Sequence, residues 1–220
     1  MSRDRKALYD RDVALAEEQF HHGNPRFFAR RLPPRHQWRL YQWLRPNAVY
    51  LDIETDSFGR ITLVGLYGSG EMTSLVRGDT LTDRRLRAEL AQYDMVVTFC
   101  GTGFDLPMLR AQFSRLPLDQ PHVDLHNLTR RAGLRGGLKA IEAALGIERR
   151  ADLLGMNGSD AVRSWNRWRH SRDADALERL LAYNEADCVN LEPLADWLYC
   201  DLAQRYRALF SNCSAVGAHN

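Results

Sequence analysis

Five residues carry the chemistry that this sequence can be read for: Asp52 and Glu54, then Asp105, then Tyr183 and Asp187. Their settings are Tyr50-Leu51-Asp52-Ile53-Glu54-Thr55, Gly103-Phe104-Asp105-Leu106-Pro107 and Tyr183-Asn184-Glu185-Ala186-Asp187. In a strand, positions i and i+2 share a face, so Asp52 and Glu54 project together. In a helix, i and i+4 share a face, which puts Tyr183 one turn from Asp187. Hard divalent cations such as Mg²⁺ and Mn²⁺ prefer carboxylate oxygen and keep several waters. Acids converging from separate elements are therefore what metal-assisted phosphodiester hydrolysis requires.

Each segment alone has a plainer explanation. Asp-x-Glu can be a pair of edge acids, Asp105 can be the N-cap of the helix holding Leu106 to Phe113, and Tyr183 and Asp187 can be a packing ring and a solvated acid. The combination, in a strand, at a helix start and in a late helix, points to one shared metal site holding Asp52, Glu54, Asp105 and Asp187.

The elements that must position these residues follow from the apolar patterning. Residues 5–20 read as an amphipathic helix, and 21–34, with Pro25, Pro33 and Pro34, as a break. Strands are expected over 49–53, 60–67 and 72–76, separated by tight turns, so that they form an antiparallel meander. A helix over 82–92, a strand over 95–99, a helix over 106–113 and a short strand over 123–125 come next, and then helices over 138–145, 160–170 and 174–208. This order gives an α/β fold, a mixed five-stranded sheet of antiparallel meander plus parallel strands flanked by helices, as in the ribonuclease H-like architecture. The chain divides into an N-terminal helical arm (1–47), the main domain (48–208) and a C-terminal tail (209–220).

The sequence of 220 residues is 45% hydrophobic and 26% charged, the composition of a globular protein, and no apolar run reaches the ~18 residues of a membrane span. The charged N-terminus lacks an apolar signal core, so a cytoplasmic location is expected. The four cysteines lack metal-type pairing and are read as reduced thiols. Net charge is only +2, but in the first 45 residues basic side chains outnumber acidic ones. There Arg30, Arg31, Arg35, Trp38 and Arg39 interleave basic and aromatic groups able to pair phosphates and stack bases, or else pack as a helix face. Asp124 reads foremost as a helix cap, and His122 and His126 lack the partners of a zinc site.

The three acid segments resemble motifs I, II and III of the DEDD superfamily of 3′–5′ exonucleases. Tyr183, four residues before Asp187, resembles its DEDDy branch, which includes proofreading domains of DNA polymerases; the position five before Asp187, where the other branch has histidine, is Ala182. Leu51 through Leu194 is similar to the YprB-type ribonuclease H-like domain, with a lead-in like Phe27-Phe28-Ala29-Arg30-Arg31-Leu32-Pro33 and Trp38-Arg39-Leu40. The resemblance implies that Asp52, Glu54 and Asp187 hold one divalent cation, that Asp52 shares a second organised by Asp105, and that Tyr183 orients the attacking water. It implies two Mg²⁺ or Mn²⁺ ions and a single strand, DNA before RNA, entering by its 3′ end and releasing nucleoside 5′-monophosphates. Phe104 and Asn184, next to the motif acids, join Arg30, Arg31, Trp38 and Arg39 as substrate contacts. Cys100 stands where relatives often carry Asn, which puts strand positioning in question. The alternatives are a non-catalytic nucleic-acid-binding module that retains the fold, which usually loses acids that are all present here, and a structure-selective endonuclease using the same metal chemistry; Tyr183 favours the exonuclease over both, and a homo-oligomer is compatible with each.

Overall fold

A computed structural model describes residues 3–216. Strand β1 (Ala48–Thr55) pairs antiparallel with β2 (Ile61–Gly68), which pairs antiparallel with β3 (Glu71–Val76). On its other side β1 runs parallel to β4 (Met95–Thr98), and β4 runs parallel to β5 (His122–Asp124). The five-stranded order is thus β3-β2-β1-β4-β5, the mixed sheet expected from the sequence. β1 is central because it is apolar on both faces up to Leu51, as a strand covered on both sides must be.

Alternation along β1 sends Val49, Leu51 and Ile53 to one face. They pack there with Leu86 and Leu90 of α4 (Asp83–Leu90) and Leu106 and Leu109 of α5 (Asp105–Gln112). Ala48 and Tyr50 face the opposite layer with α6 (Leu125–Ala132), α7 (Leu138–Leu145) and α10 (Leu191–Val216). A third cluster joins Leu63 of β2 to α8 (Gly158–Ser171) and α9 (Ala174–Val189) through Trp165, Leu180 and Tyr183.

The N-terminal segment docks on the same layer. Helix α1 (Arg3–His21) leads to α2 (Pro25–Arg31), a 3-10 turn over Pro34–Leu40 and the short α3 (Tyr41–Leu44). Trp38, Tyr41 and Leu44 are core residues, and the Tyr41 hydroxyl bonds the Tyr50 hydroxyl of β1 at 2.7 Å. The first helix ends at His21 as expected, but the segment 21–34 also holds α2, because proline is tolerated in the first turn of a helix. Pro25 sits at the first turn of α2, where Asn24 accepts the Phe27 amide as the cap. The helix expected over 174–208 is likewise two helices, α9 and α10, meeting at Asn190. Helix α10 runs on to Val216, and residues 217–220 of the expected tail lie outside the described residues. Among the described residues no helix is long and apolar enough to cross a membrane.

Candidate active site

Asp52 and Glu54 share the β1 face with Tyr50, and α9 lies across that face beyond Tyr50. The approach is close because Asp52 pairs in register with Gly65 of β2. A Cβ on Gly65 would sit 2.1 Å from Asn184 Oδ1 and 2.6 Å from Cys188 Sγ, so only glycine leaves room for α9 there. One turn along α9, Tyr183 and Asp187 face the strand together. Carboxylate oxygens of Asp52, Glu54 and Asp187 all lie within 4.8 Å of one another.

Asp105 stands beside this trio rather than in it. The reading of Asp105 as a helix cap needs correcting: Phe104 is the N-cap residue of α5 and supplies no side-chain cap bond. The Asp105 Oδ1 accepts the Ile53 amide of β1 at 3.2 Å instead. That amide is open because β4 pairs with β1 only over Ala48, Val49 and Tyr50. The bond ties the start of α5 to the strand that carries the acids.

Burial is the first cause of the site's unusual acidities, and mutual repulsion the next. The Asp52 carboxyl is held well above its ordinary range by burial and by Asp187, Glu54 and Asp105, partly offset by the Asn184 amide, which donates to Oδ2 at 2.8 Å. Burial and Asp187 push Glu54 up to about 8, against the pull of Lys139. Asp105 rises to about 7, again through burial, in spite of the backbone amides it accepts. Asp187 is raised by burial although Arg149 and Lys139 oppose the rise. Such a cluster retains protons unless a cation replaces them. Three converging oxygen donors of hard type suit a divalent ion of the Mg²⁺ or Mn²⁺ class.

Two cations here were missed in the sequence. Lys139, in the first turn of α7, donates from Nζ to the Tyr183 hydroxyl at 2.6 Å and lies 4.3 Å from the ring centroid. Tyr183 is itself 5% exposed; burial and then the carboxylates Asp187, Glu54 and Asp52 keep it a neutral phenol well above its usual range. The Arg149 side chain, 4% exposed, donates to Asp187 Oδ1 at 2.6 Å and grips both oxygens of Glu142, at 2.7 and 3.0 Å. Asn190 completes the network by donating to Glu142 at 3.1 Å. Sequence signals for this were faint, since Lys139 follows a glycine pair read only as a break and Arg149 sits in a Glu-Arg-Arg run that looks solvated.

The expected substrate contacts scatter. Phe104 is exposed at the start of α5, while Asn184 is fully buried and bonded to Asp52. Arg30 pairs with Asp119 and Arg31 with Asp12, so both charges are matched away from the acids. Trp38 is buried at 3% exposure with Arg39, Arg131, Tyr199 and Tyr206 around its ring, which leaves no free face for stacking. Cys100 takes a left-handed backbone, φ 67°, a conformation in which Asn is enriched among non-glycine residues. Its amide and that of Thr102 donate to Asp124, which also caps α6 through the His126 amide. The capping role expected for Asp124 is therefore observed, with the addition that it holds the loop ahead of Asp105.

A family model described as the RNase_H superfamily matches residues 49–199. Among solved structures, the chain is similar to the family B DNA polymerase from the hyperthermophilic archaeon Pyrobaculum calidifontis, with a TM-score of 0.50 and 16% identity. The match covers 66% of this chain and 24% of the polymerase chain, so it spans about a quarter of the latter's length. At that identity the likeness is one of fold. No curated protein matches.

Proposed function

The chain belongs to the RNase H superfamily, and from that premise we propose that it is a metal-dependent 3′–5′ exonuclease of the DEDDy type. It would act on single-stranded nucleic acid, DNA before RNA, and release nucleoside 5′-monophosphates. The observation that carries this reading is the trio of Asp52 and Glu54 on β1 and Asp187 on α9, with oxygens within 4.8 Å and Tyr183 one turn before Asp187.

Asp52, Glu54 and Asp187 would hold one divalent ion, and Asp52 with Asp105 would serve a second. When bound, such ions activate water and stabilise both the entering and leaving oxygens of an in-line displacement. The protein's own groups do the orienting. Asn184 holds one oxygen of Asp52, and Arg149 fixes one oxygen of Asp187 and leaves the other available. Neutral Tyr183 positions water by its hydroxyl, not as an ionised base, with Lys139 fixing the hydroxyl's direction. Lys139 also sets a positive charge beside the acids, where a phosphate oxygen is to be accommodated.

The test is digestion of 5′-labelled single-stranded DNA and RNA with Mn²⁺ or Mg²⁺. Stepwise shortening from the 3′ end, absent in EDTA and in Asp187→Asn, is the expected ladder. Internal cuts would make it an endonuclease, and intact strand would contradict the catalytic reading.

A further inference from the structure

Next to the acid site lies a second feature, a cavity of about 400 Å³ between the N-terminal segment and the β5–α6 junction. Arg35, Trp38, Thr102, Asp124 and Arg131 are in its wall. Thr102 belongs to the loop that leads to Asp105. Asp124 pins that loop from the cavity side through the Cys100 and Thr102 amides, while Asp105 ties its far end to β1. The loop is thus anchored at one end in the cavity wall and at the other to the strand that carries the acids.

Charge distinguishes this cavity from an ordinary surface dent. Among the described residues, Arg35, Arg39 and Arg131 have no carboxylate partner, whereas Arg26, Arg30, Arg31 and Arg45 each have one. Two of the three side chains are held in place. Arg131 donates to the Arg35 carbonyl at 3.0 Å and to the Tyr206 hydroxyl at 2.6 Å, and the Arg39 guanidinium lies over the rings of Trp38 and Tyr206 at 5.0 and 4.4 Å. The crowding of positive charge is felt by His36, which burial and then Arg35, Arg39 and Arg131 hold below its ordinary range. Asp124 forms no ion pair with them among the described residues; its two oxygens accept three backbone amides. Arg131, fixed by a hydroxyl, and Arg39, fixed by rings, with Arg35 beside them bonded through Nε to His36 at 3.3 Å, present guanidiniums without carboxylate partners to a phosphate.

We propose that this cavity binds a backbone phosphodiester of the nucleic acid strand whose 3′ end lies at the acids, with Arg35 and Arg131 of its wall as contacts and Arg39, over the Trp38 ring, adding positive charge beside it. The assignment rests on the nuclease reading for its choice of ligand. It places substrate capture in part of the N-terminal segment only. Arg30 and Arg31, whose charges are already paired, are excluded from it.

The experiment compares the wild type with Arg35→Gln/Arg39→Gln and with Arg30→Gln/Arg31→Gln, leaving Arg131 intact because it also holds the fold. Binding of a 5′-fluorescein single strand is followed by anisotropy in EDTA over a range of salt. The first pair should weaken binding by about tenfold or more and flatten log affinity against log salt by roughly 0.7 for each phosphate that is no longer neutralised. The second pair should leave both unchanged. Equal slopes in all three proteins, or equal flattening by both pairs, would overturn the proposal. A loss of thymidine monophosphate binding in Arg35→Gln/Arg39→Gln would also overturn it, by giving the cavity to product. Hydrolysis of thymidine 5′-(p-nitrophenyl) phosphate with Mn²⁺ by the wild type checks the acid site separately. If the wild type fails to cleave this ester, the nuclease reading falls, while the salt slopes still decide what the cavity binds.

Discussion

Gly65→Ala is a one-methyl perturbation aimed at the contact that lets α9 reach β1. Gly65 has no positive φ to lose, so the effect is steric alone. The added Cβ would meet Asn184 Oδ1 at 2.1 Å and Cys188 Sγ at 2.6 Å, where ordinary contact begins near 3.4 Å. Asn184 must therefore recede by about 1.3 Å and Cys188 by about 0.8 Å, and both are fully buried. The 2.8 Å bond from Asn184 to Asp52 cannot survive such a shift, and Asp187, on the same turn of α9, moves with it. Overpacking of this kind costs about 1–3 kcal/mol, which a domain stable by ~5–15 kcal/mol tolerates. A displacement near 1 Å at a reacting centre lowers turnover on the order of 10²-fold. Urea unfolding followed by circular dichroism, with turnover on a labelled oligonucleotide, measures both effects. Gly158→Ala, whose Cβ meets nothing within 4 Å at the start of α8, is the matched control and should be neutral. Wild-type turnover by Gly65→Ala would refute the claim that this close approach sets the site's geometry.

Arg149→Met removes the cation shared by Glu142 and Asp187 and should destabilise the protein by about 3–5 kcal/mol in urea, much of it restored in Glu142→Met/Arg149→Met; no recovery in the double variant would show that the unpaired Glu142 is not the cause. Tyr183→Phe keeps the ring and deletes the hydroxyl held by Lys139, so turnover should fall roughly 10²-fold with strand binding unchanged, and unaltered turnover would reduce Tyr183 to packing. For pH, Glu54 titrates near 8 in the folded, metal-free protein against an ordinary 4.5, so between these values the folded state retains a proton that the unfolded chain releases, and stability rises as pH falls through about 8. A divalent cation needs the deprotonated form, so the rise in Tm on adding Mn²⁺ should be larger at pH 8 than at pH 6, and equal rises would contradict the assigned acidities.

Strands β1 to β3 could be read closely from the chain because alternating and continuous apolar runs report burial directly, and the acids stood out as interruptions of that pattern. Capping of α6 by Asp124 was legible for the same local reason. What escaped was nonlocal. Lys139 and Arg149 meet the site residues Tyr183 and Asp187 across 44 and 38 residues, and nothing near either residue marks it as buried. Arg30 and Arg35 look alike in the chain, yet one meets Asp119, 89 residues on, and the other meets no carboxylate among the described residues. The break between α9 and α10 does carry a local mark, Pro193 in the first turn of α10, and Asn190, at the junction, is bonded to Glu142, a partner from another helix. Pro25 misled in the opposite sense, since the same residue that interrupts a helix also begins one.

Whether Asp52, Glu54 and Asp187 form a divalent-cation site is tested most directly by anomalous diffraction from a crystal soaked in Mn²⁺. An anomalous peak at bonding distance from oxygens of all three is expected, and it should vanish in crystals of Asp187→Asn. A protein that takes up no Mn²⁺ there, or binds it only at other carboxylates, would contradict the assignment of this cluster as a metal centre.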